Sequence, residues 1–334
     1  MSKAEAAAAI LWIGATFYAL FGGADFGGGF WDLGAGEGEE AERRRSLIQR
    51  SLTPVWEANH VWLIFCLVVL WTAFPPAFSA VMTTLYVPLA LAALGIVLRG
   101  CGFAFRKSLE GFQARRAAGA TFALSSVITP FFMGTVVGAI AAGNVPAHGD
   151  GAPFPSWIQP LPIMIGGMFV ASSAYLAAVF LVGDARRAGD AKLEAYFVRQ
   201  ALAAAAAVGA FAVVGLVLLH DEARYVFDRL VDQGLPLVVL SALCGAGVLV
   251  SLLRGWRRPL RPLAAGAVIA VIWGWAVAQF PYLLPTSLTI GEAAAPDPTL
   301  AVIFGVFGVA AIFVLPSLGL LYALSQRDLL EHED

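Results

Sequence analysis

A succession of apolar runs constrains this chain more than any other feature, because a helix of about 20 apolar residues crosses a hydrocarbon layer of about 30 Å. Nine such runs occur, at approximately residues 6–30, 54–74, 77–98, 121–145, 161–182, 202–219, 235–253, 263–280 and 300–324. Hydrophobic residues make up 59% of the chain and charged residues 13%, whereas soluble domains have roughly 45–50% and 25%. The sequence therefore predicts an all-α integral membrane protein, with nine transmembrane helices in a single polytopic membrane domain over residues 1–334.

Two features of the first three runs set further expectations. Pro75 and Pro76 alone separate the second and third runs, which predicts a tight helical hairpin. The first run is too long for a cleavable signal peptide, and no small-residue cleavage site precedes the Asp25 region. We therefore expect the first run to remain as a membrane helix.

The basic residues are distributed asymmetrically along the chain. All but three of the 21 lysines and arginines follow the first, third, fifth and seventh runs or lie in the C-terminal tail. The three exceptions are Lys3, Arg224 and Arg229. Because cytoplasmic loops of membrane proteins are enriched in Lys and Arg, the N-terminus is predicted outside and the C-terminus in the cytoplasm.

The stretch at residues 54–62, PVWEANHVW, is the most chemically dense in the chain. Pro54 suits the first turn of a helix, which predicts that the second helix begins there. Glu57 and His60 are one turn apart on that helix, and Asn59 lies beside His60. A carboxylate and an imidazole within reach of each other can exchange protons, so this stretch is a candidate functional site.

A second acid, Asp25, lies in the glycine-rich segment GGADFGGG at residues 22–29. The glycines predict an interrupted end of the first helix, with free backbone groups and space for water. At about 1.5 Å per residue, Asp25 lies about 28 Å along the first run, near the inner face. Span length and charge topology therefore place Asp25 and Glu57 on the same side of the membrane.

Both acids allow two interpretations, because a charge at bilayer depth must be paired or hydrated. In the functional interpretation, Asp25 and Glu57 relay protons inward from the cytoplasm. In the structural one, Asp25 caps backbone groups or pairs with an arginine such as Arg99, and Glu57 is a helix-start acid favoured by the helix dipole. His60 is expected to be a hydrogen-bonded partner and not a ligand.

Cofactor motifs are absent from the sequence, which has no CxxCH haem-attachment motif, no Walker loop and no GxGxxG in a strand context. Cys66, Cys101 and Cys244 are scattered, which favours packed apolar residues over a disulfide or a metal site. Few histidines lie in apolar spans. The chain is therefore expected to bind no haem and no metal itself.

Five segments of the chain carry a family resemblance. They are Asp25–Gly29, Arg43–Arg50, residues 54–62, Leu98–Arg106 and Phe280–Thr289. Together these segments resemble subunit II of the cytochrome bd quinol oxidase family, most specifically in the order Trp, acid, Asn, Trp within residues 54–62. The resemblance spans the whole chain, and it implies two four-helix bundles plus a peripheral ninth helix.

The resemblance implies a haem-free partner of a haem-bearing subunit I, in the cytoplasmic membrane of a bacterium or archaeon. The complex of that family oxidises quinol, reduces dioxygen to water and contributes to the respiratory proton gradient. The resemblance leaves room for a small accessory subunit, and for a structural quinone or lipid on this chain among the membrane lipids. No nucleic-acid partner is expected.

Individual residues match motif positions of the family. Asp25 and Glu57 match acidic positions associated with proton delivery towards the haems of subunit I. Trp62 matches a tryptophan at the mouth of a proposed oxygen channel. The positions with a supporting role are Trp56, Asn59, His60 and Arg99.

Two departures from the family pattern concern the acids. Gly22 stands where family members can carry a second acid, which weakens a quinone or proton role at the end of the first helix. Glu57 stands where they can carry Asp, a change that keeps the chemistry and lengthens the reach of the carboxyl group.

Two other classes of function compete with this interpretation. A secondary transporter would use Asp25 and Glu57 to couple proton movement to a solute, and transporters do contain interrupted helices. Transporter sites lie near the bilayer midplane, however, whereas both acids here are predicted near the inner face. A purely structural scaffold would explain the absent cofactor motifs but leaves the cluster at residues 54–62 without a role.

Overall fold

The computed structural model describes residues 1–106 and 112–326, and within these ranges it describes the side chains except at 52–58, 103–106, 112–117, 315, 318 and 321–326. Helices dominate the described chain, with one two-stranded antiparallel hairpin, β1 and β2. The elements in order are α1 (Lys3–Leu33), α2 (Glu39–Ala73), α3 (Pro75–Thr84), α4 (Tyr86–Arg106), α5 (Phe112–Ala141), α6 (Pro160–Arg187), α7 (Ala191–Glu222), α8 (Arg224–Asp232), α9 (Leu235–Leu253), α10 (Leu260–Gln279), β1 (Tyr282–Leu284), β2 (Leu288–Thr289), α11 (Ile290–Ala293) and α12 (Asp297–Gln326).

The helices account for the apolar runs. By length and composition, 7 of the described helices can cross a membrane, and the number rises to 8 if the bent pair formed by Asn59–Ala73 and α3 is one span. A further apolar helix, Tyr86–Gly102 within α4, is shorter. The all-α membrane architecture is therefore confirmed, while the count of nine spans stays a prediction.

The start of α2 corrects one expectation. The helix begins at Glu39 and continues through Pro54, so the prediction that Pro54 opens a helix is wrong, and Glu57 does not lie at a helix start. Acidic residues in the first turn, such as Glu39, suit the positive end of the helix dipole. Hydropathy had marked only the apolar part of a longer helix, and the Arg43–Arg50 segment is helical.

The link between the second and third runs corrects another expectation. After α2 ends at Ala73, the chain turns through 117° into α3, so it changes direction sharply where the sequence predicts a turn, but the helix that follows is only 10 residues long and is not a complete span. Proline cannot continue a preceding helix but fits the first turn of a new one, which places the break here. The predicted third helix at residues 77–98 is divided again at Leu85, between α3 and α4.

The glycine-rich segment at residues 22–29 corrects a third expectation, because α1 runs without interruption from Lys3 to Leu33. The segment forms a buried surface of the helix, with Gly22, Ala24, Phe26 and Gly28 all buried. Glycine in an apolar helix lets neighbouring helices approach closely and does not have to end the helix.

Packing places α1 at the centre of the described structure. It contacts α2, α5 and α6 extensively, while α4 packs on α5, α6 on α7, and α9 on α10. By contrast, α12 makes fewer contacts with α1 and α2, and its described side chains are largely exposed on the protein surface. Residues on α1 are therefore positioned by several helices at once.

Ion pairs connect the helix ends on one side of the structure. They join the end of α1 to α2, the start of α2 to the α6–α7 turn, and α6 and α7 to the segment around the start of α10. The pairs are Arg45–Asp32, Arg43–Asp190, Arg257–Glu194 and Arg261–Asp184. At the opposite side, Lys3 lies 3.2 Å from Asp297 and links the starts of α1 and α12.

Candidate functional site

A buried ion pair joins α1 to α4. The Nη2 atom of Arg99 lies 2.5 Å from Oδ1 of Asp25 and donates a second hydrogen bond, at 2.9 Å, to the Asp25 carbonyl oxygen. Both side chains are only 1% exposed. Of the alternatives that the sequence left open for Asp25, pairing with Arg99 is the one that the structure contains.

The far side of the Arg99 guanidinium contacts α5. Its Nη1 donates to Oγ of Ser126, and Ser126 in turn donates to the Phe122 carbonyl oxygen at 2.6 Å. The guanidinium also lies over the Phe122 ring, 4.2 Å from its centroid, and 5.1 Å from that of Phe26. Aromatic faces attract a cation, so these rings help to hold the charge in an apolar setting.

Asn59 on α2 contacts the same Asp25 carboxylate. Its Nδ2 lies 3.4 Å from Oδ2 of Asp25, and the Asn59 side chain is 1% exposed. Asp25 is therefore contacted from α4 through Oδ1 and from α2 through Oδ2. The Oδ2 contact is at the long end of the hydrogen-bond range, which leaves this oxygen the more loosely held of the two.

Two glycines of α1 make room for these partners. A Cβ atom on Gly22 would lie 2.6 Å from Oδ1 of Asn59, and one on Gly29 would overlap Oγ of Ser126 and lie 2.8 Å from Nη1 of Arg99. The glycines that seemed to interrupt the first helix thus allow polar side chains from three other helices to reach its surface.

This arrangement can keep a carboxylate at depth without leaving a charge unpaired. Burying two ions is costly, and their attraction offsets that cost only where good geometry and further hydrogen bonds complete the site. Arg99 supplies two contacts and Asn59 a third. Proton exchange at Asp25 would use Oδ2, because Oδ1 is held closely by the guanidinium.

Within the cluster at residues 54–62, the structure describes the side chains of residues 59–62. The side chains of Trp56 and Glu57 lie outside the described residues, although the backbone places both within α2, close to Asn59. His60 is half-buried and follows Asn59 on the same helix. The structure thus joins Asn59, a member of this cluster, to Asp25.

Trp62 lies further along α2 in an aromatic cluster. Its indole stacks on Phe17 with 4.4 Å between ring centroids and contacts Phe65 edge-on at 5.8 Å. The side chain is 9% exposed, and its Nε1 atom is buried without a hydrogen-bond partner among the described residues. The ring contacts of the indole are therefore aromatic, while its N–H remains unpartnered.

Sequence reasoning missed two contacts of Arg99, Ser126 and Phe122, and it counted Arg99 as a loop cation although it is buried in α4. Ser125 and Ser126 are adjacent polar residues in an apolar run, a signal that was available. The transporter alternative depended on an interrupted first helix, and the continuity of α1 removes that support.

No metal centre is evident in the described ranges. Within residues 1–106 and 112–326, no group of three or more His, Cys, Asp or Glu side chains could hold a metal ion. Cys66, Cys101 and Cys244 are free thiols in this structure.

Comparison with known proteins adds to this geometry. Residues 4–325 match the family model described as cytochrome bd terminal oxidase subunit II. The chain is 24% identical over 324 residues to cytochrome bd ubiquinol oxidase subunit 2 of Bacillus subtilis (strain 168), with 92% of this chain and 89% of that protein covered. It is 25% identical over 333 residues to cytochrome bd-I ubiquinol oxidase subunit 2 of Escherichia coli (strain K12), with 85% and 86% covered.

A solved structure shares the fold. A chain of the bd oxidase from Geobacillus thermodenitrificans superposes with a TM-score of 0.81 at 24% identity, over 100% of both chains. The similarity therefore extends from the first helix to the last. With the match to the family model over residues 4–325, the chain belongs to the cytochrome bd terminal oxidase subunit II family.

Proposed function

We propose that this chain is the haem-free subunit II of a respiratory quinol oxidase, and that it assembles with a haem-bearing subunit I which reduces dioxygen to water. The observation that carries this proposal is the family match over residues 4–325, supported by the full-length fold similarity. As a family member with several long apolar helices, the chain is a multi-pass protein of the cytoplasmic membrane.

In the proposed topology, nine spans form two four-helix bundles and a peripheral ninth helix, with the N-terminus outside and the C-terminus in the cytoplasm. The arginines that pair with Asp32, Asp190, Glu194 and Asp184 support this orientation. They follow different apolar runs, yet they lie at one side of the structure. Arginine enrichment on one side is typical of the cytoplasmic face.

The chemical role proposed for this chain is proton delivery through Asp25 and Glu57. Asp25 lies eight residues before the end of α1 at Leu33, about 12 Å from the proposed cytoplasmic end. Its Oδ2 atom faces Asn59, two residues after Glu57 on α2. Protons would enter between α1 and α2, with Glu57 and Asp25 as successive carboxylates and Arg99 and Asn59 holding Asp25 in place.

Trp62 is proposed to border the route by which dioxygen enters. The support is its aromatic surroundings, Phe17 and Phe65, because an apolar path suits an apolar gas. A structural quinone or lipid is proposed on the α7–α8–α9 surface. A pocket there of about 510 Å³ has a predominantly apolar lining and falls within the usual range of about 300–1,000 Å³ for ligand sites.

Co-purification tests the proposal. The chain, tagged at one terminus and solubilised gently, should carry with it a haem-bearing membrane subunit, visible in reduced-minus-oxidised spectra. The Asp25→Asn variant should retain the haem signal and consume less oxygen per haem. A transporter would purify without haem, and that result would contradict the assignment.

A further inference from the structure

Three residues of α1 line one face of that helix above the ion pair. Tyr18, Gly22 and Asp25 follow the spacing i, i+4, i+7, which places them one above another on the same side. Tyr18 is the member furthest from the proposed cytoplasmic end, and seven residues separate it from Asp25, or about 10 Å along the axis.

The contacts of Asn59 show that this face of α1 packs against α2. Its Oδ1 atom lies where a side chain of Gly22 would begin, at 2.6 Å from a built Cβ, and therefore between Tyr18 and Asp25. Its Nδ2 atom contacts Asp25. The face of α1 that carries Tyr18 thus packs against α2 at Asn59.

Unpartnered polar atoms collect along this seam between α1 and α2. The hydroxyl oxygen of Tyr18 and Oδ1 of Asn59 are both buried and have no hydrogen-bond partner among the described residues. Nε1 of Trp62, one turn beyond Asn59 on α2, is also buried without a hydrogen-bond partner among the described residues. The Trp62 indole stacks on Phe17, which precedes Tyr18 in the sequence.

Such a concentration points to a ligand, because about 90% or more of buried polar groups in proteins are hydrogen-bonded to protein or to ordered water. The atoms available are complementary to water, with a hydroxyl that donates or accepts, a carbonyl oxygen that accepts and an indole N–H that donates. An internal water molecule typically makes about three hydrogen bonds, which is the number of orphaned groups on this seam.

We propose that internal water binds between Tyr18, Asn59 and Trp62, and that Tyr18 is a relay residue which extends the proton path beyond Asp25 towards the middle of the membrane. The inference depends on the proposed role of Asp25. A proton leaving Oδ2 of Asp25 passes to the water, the water gives a proton to the Tyr18 hydroxyl, and that hydroxyl releases its own proton to a second water molecule on its far side. The hydroxyl ends the step neutral, and no oxidant or reductant is needed.

The test uses the assembled oxidase with Tyr18→Phe, which removes the hydroxyl and keeps the ring. Tyr175→Phe is the matched control, because Tyr175 is a buried tyrosine of α6 that belongs to a different hydrophobic cluster, together with Phe197 and Val248. Quinol-driven oxygen consumption per haem is measured in H₂O and in D₂O. A map of the complex that resolves ordered waters is examined for density within about 3.2 Å of the Tyr18 hydroxyl.

Tyr18→Phe should slow turnover by about threefold, less than the loss of about tenfold or more expected when a titrating carboxyl group is removed, and should change the solvent isotope ratio. Tyr175→Phe should change neither quantity. Normal turnover and isotope ratio in Tyr18→Phe, with slow turnover in Asp25→Asn, would overturn the inference and leave the role of Asp25 intact. Normal turnover in both variants would remove the proton path itself. Absence of water density at the seam would also overturn the inference.

Discussion

Arg99 and Asp25 are 74 residues apart in the sequence, yet their side chains form an ion pair of 2.5 Å in which each is 1% exposed. Replacing Arg99 by Met would leave the Asp25 carboxylate buried without its counter-charge. Breaking a buried pair in this way costs about 3–5 kcal/mol. We expect the Arg99→Met complex to unfold at a clearly lower temperature, measured by loss of the native haem spectrum on heating.

Arg187 supplies the control for this prediction. It pairs with Asp184, but its side chain is 63% exposed, so water already stabilises both charges. Arg187→Ala should cost no more than about 1 kcal/mol. Equal destabilisation by the two substitutions would show that the burial of the Arg99 pair has no energetic importance.

Gly27 tests the contact between α1 and α6. A Cβ atom at this position would overlap the backbone carbonyl of Ser173, which cannot rotate away as a side chain could. Overpacking of this kind costs about 1–3 kcal/mol or more. The Gly27→Ala variant should assemble poorly, measured as haem recovered per tagged chain.

Gly209 on α7 is the matched position for that substitution, since a Cβ there meets nothing within 4 Å. Gly209→Ala should give normal recovery. If Gly27→Ala also gave normal haem recovery per tagged chain, α1 and α6 could not approach each other as closely as they do in this structure.

How far the sequence predicts this fold depends on which physical signal an element carries. Both ends of α9 agree with the predicted run at 235–253, because Gly234 precedes an uninterrupted apolar run and Arg254 follows it. The start of α2 was missed because hydropathy marks where a chain becomes apolar and not where a helix begins. The glycines near Asp25 were misassigned because their effect depends on which neighbour packs against them.

In the candidate site too, some residues could be predicted from the sequence and others could not. Asp25 and Asn59 could be selected from the sequence, since polar residues in apolar runs are costly, and Arg99 could be named as a partner for Asp25. Ser126 and the Tyr18 hydroxyl could not be assigned a place, because their proximity to these residues depends on how α1 packs against α2 and α5.

The orientation of the chain gives a prediction that is independent of the site. A reporter of cytoplasmic location should be active at the C-terminus and inactive at the N-terminus, because an odd number of spans places the termini on opposite sides. Activity at both termini would mean that the spans are miscounted, and the bent pair of α2 and α3 is where the count changes from 7 to 8.

Asp190 predicts a local dependence on pH at the proposed cytoplasmic face. Its carboxylate caps α7 by accepting from the backbone N–H groups of Lys192 and Leu193, each at 3.1 Å. The Leu193 N–H, together with Arg43, lowers the pKa of Asp190 below its ordinary value of 3.8. Since the folded-state pKa is the lower one, the cap is fully present above the ordinary value and is lost as pH falls through the folded pKa.

Hydrogen exchange measures this cap directly. Protection of the first turn of α7 should decrease on acidification below about pH 3.8 in the natural chain. Asp190→Asn keeps a capping oxygen but does not titrate, so its protection should change less over the same range. A parallel loss of protection in both proteins would assign the effect to other groups.

Substitutions of Glu57 test directly whether carboxylates of this chain deliver protons to the oxidase. Because α2 begins at Glu39, an interaction with the helix dipole no longer explains an acid at this position. Glu57→Gln keeps the shape of the side chain and removes the titrating proton, while Glu57→Asp keeps the acid. The measurement is quinol-driven oxygen consumption per haem in membranes that contain each variant. We expect normal haem content in both variants, most of the activity in Glu57→Asp, and a loss on the order of tenfold or more in Glu57→Gln. Unchanged turnover in Glu57→Gln would contradict this expectation.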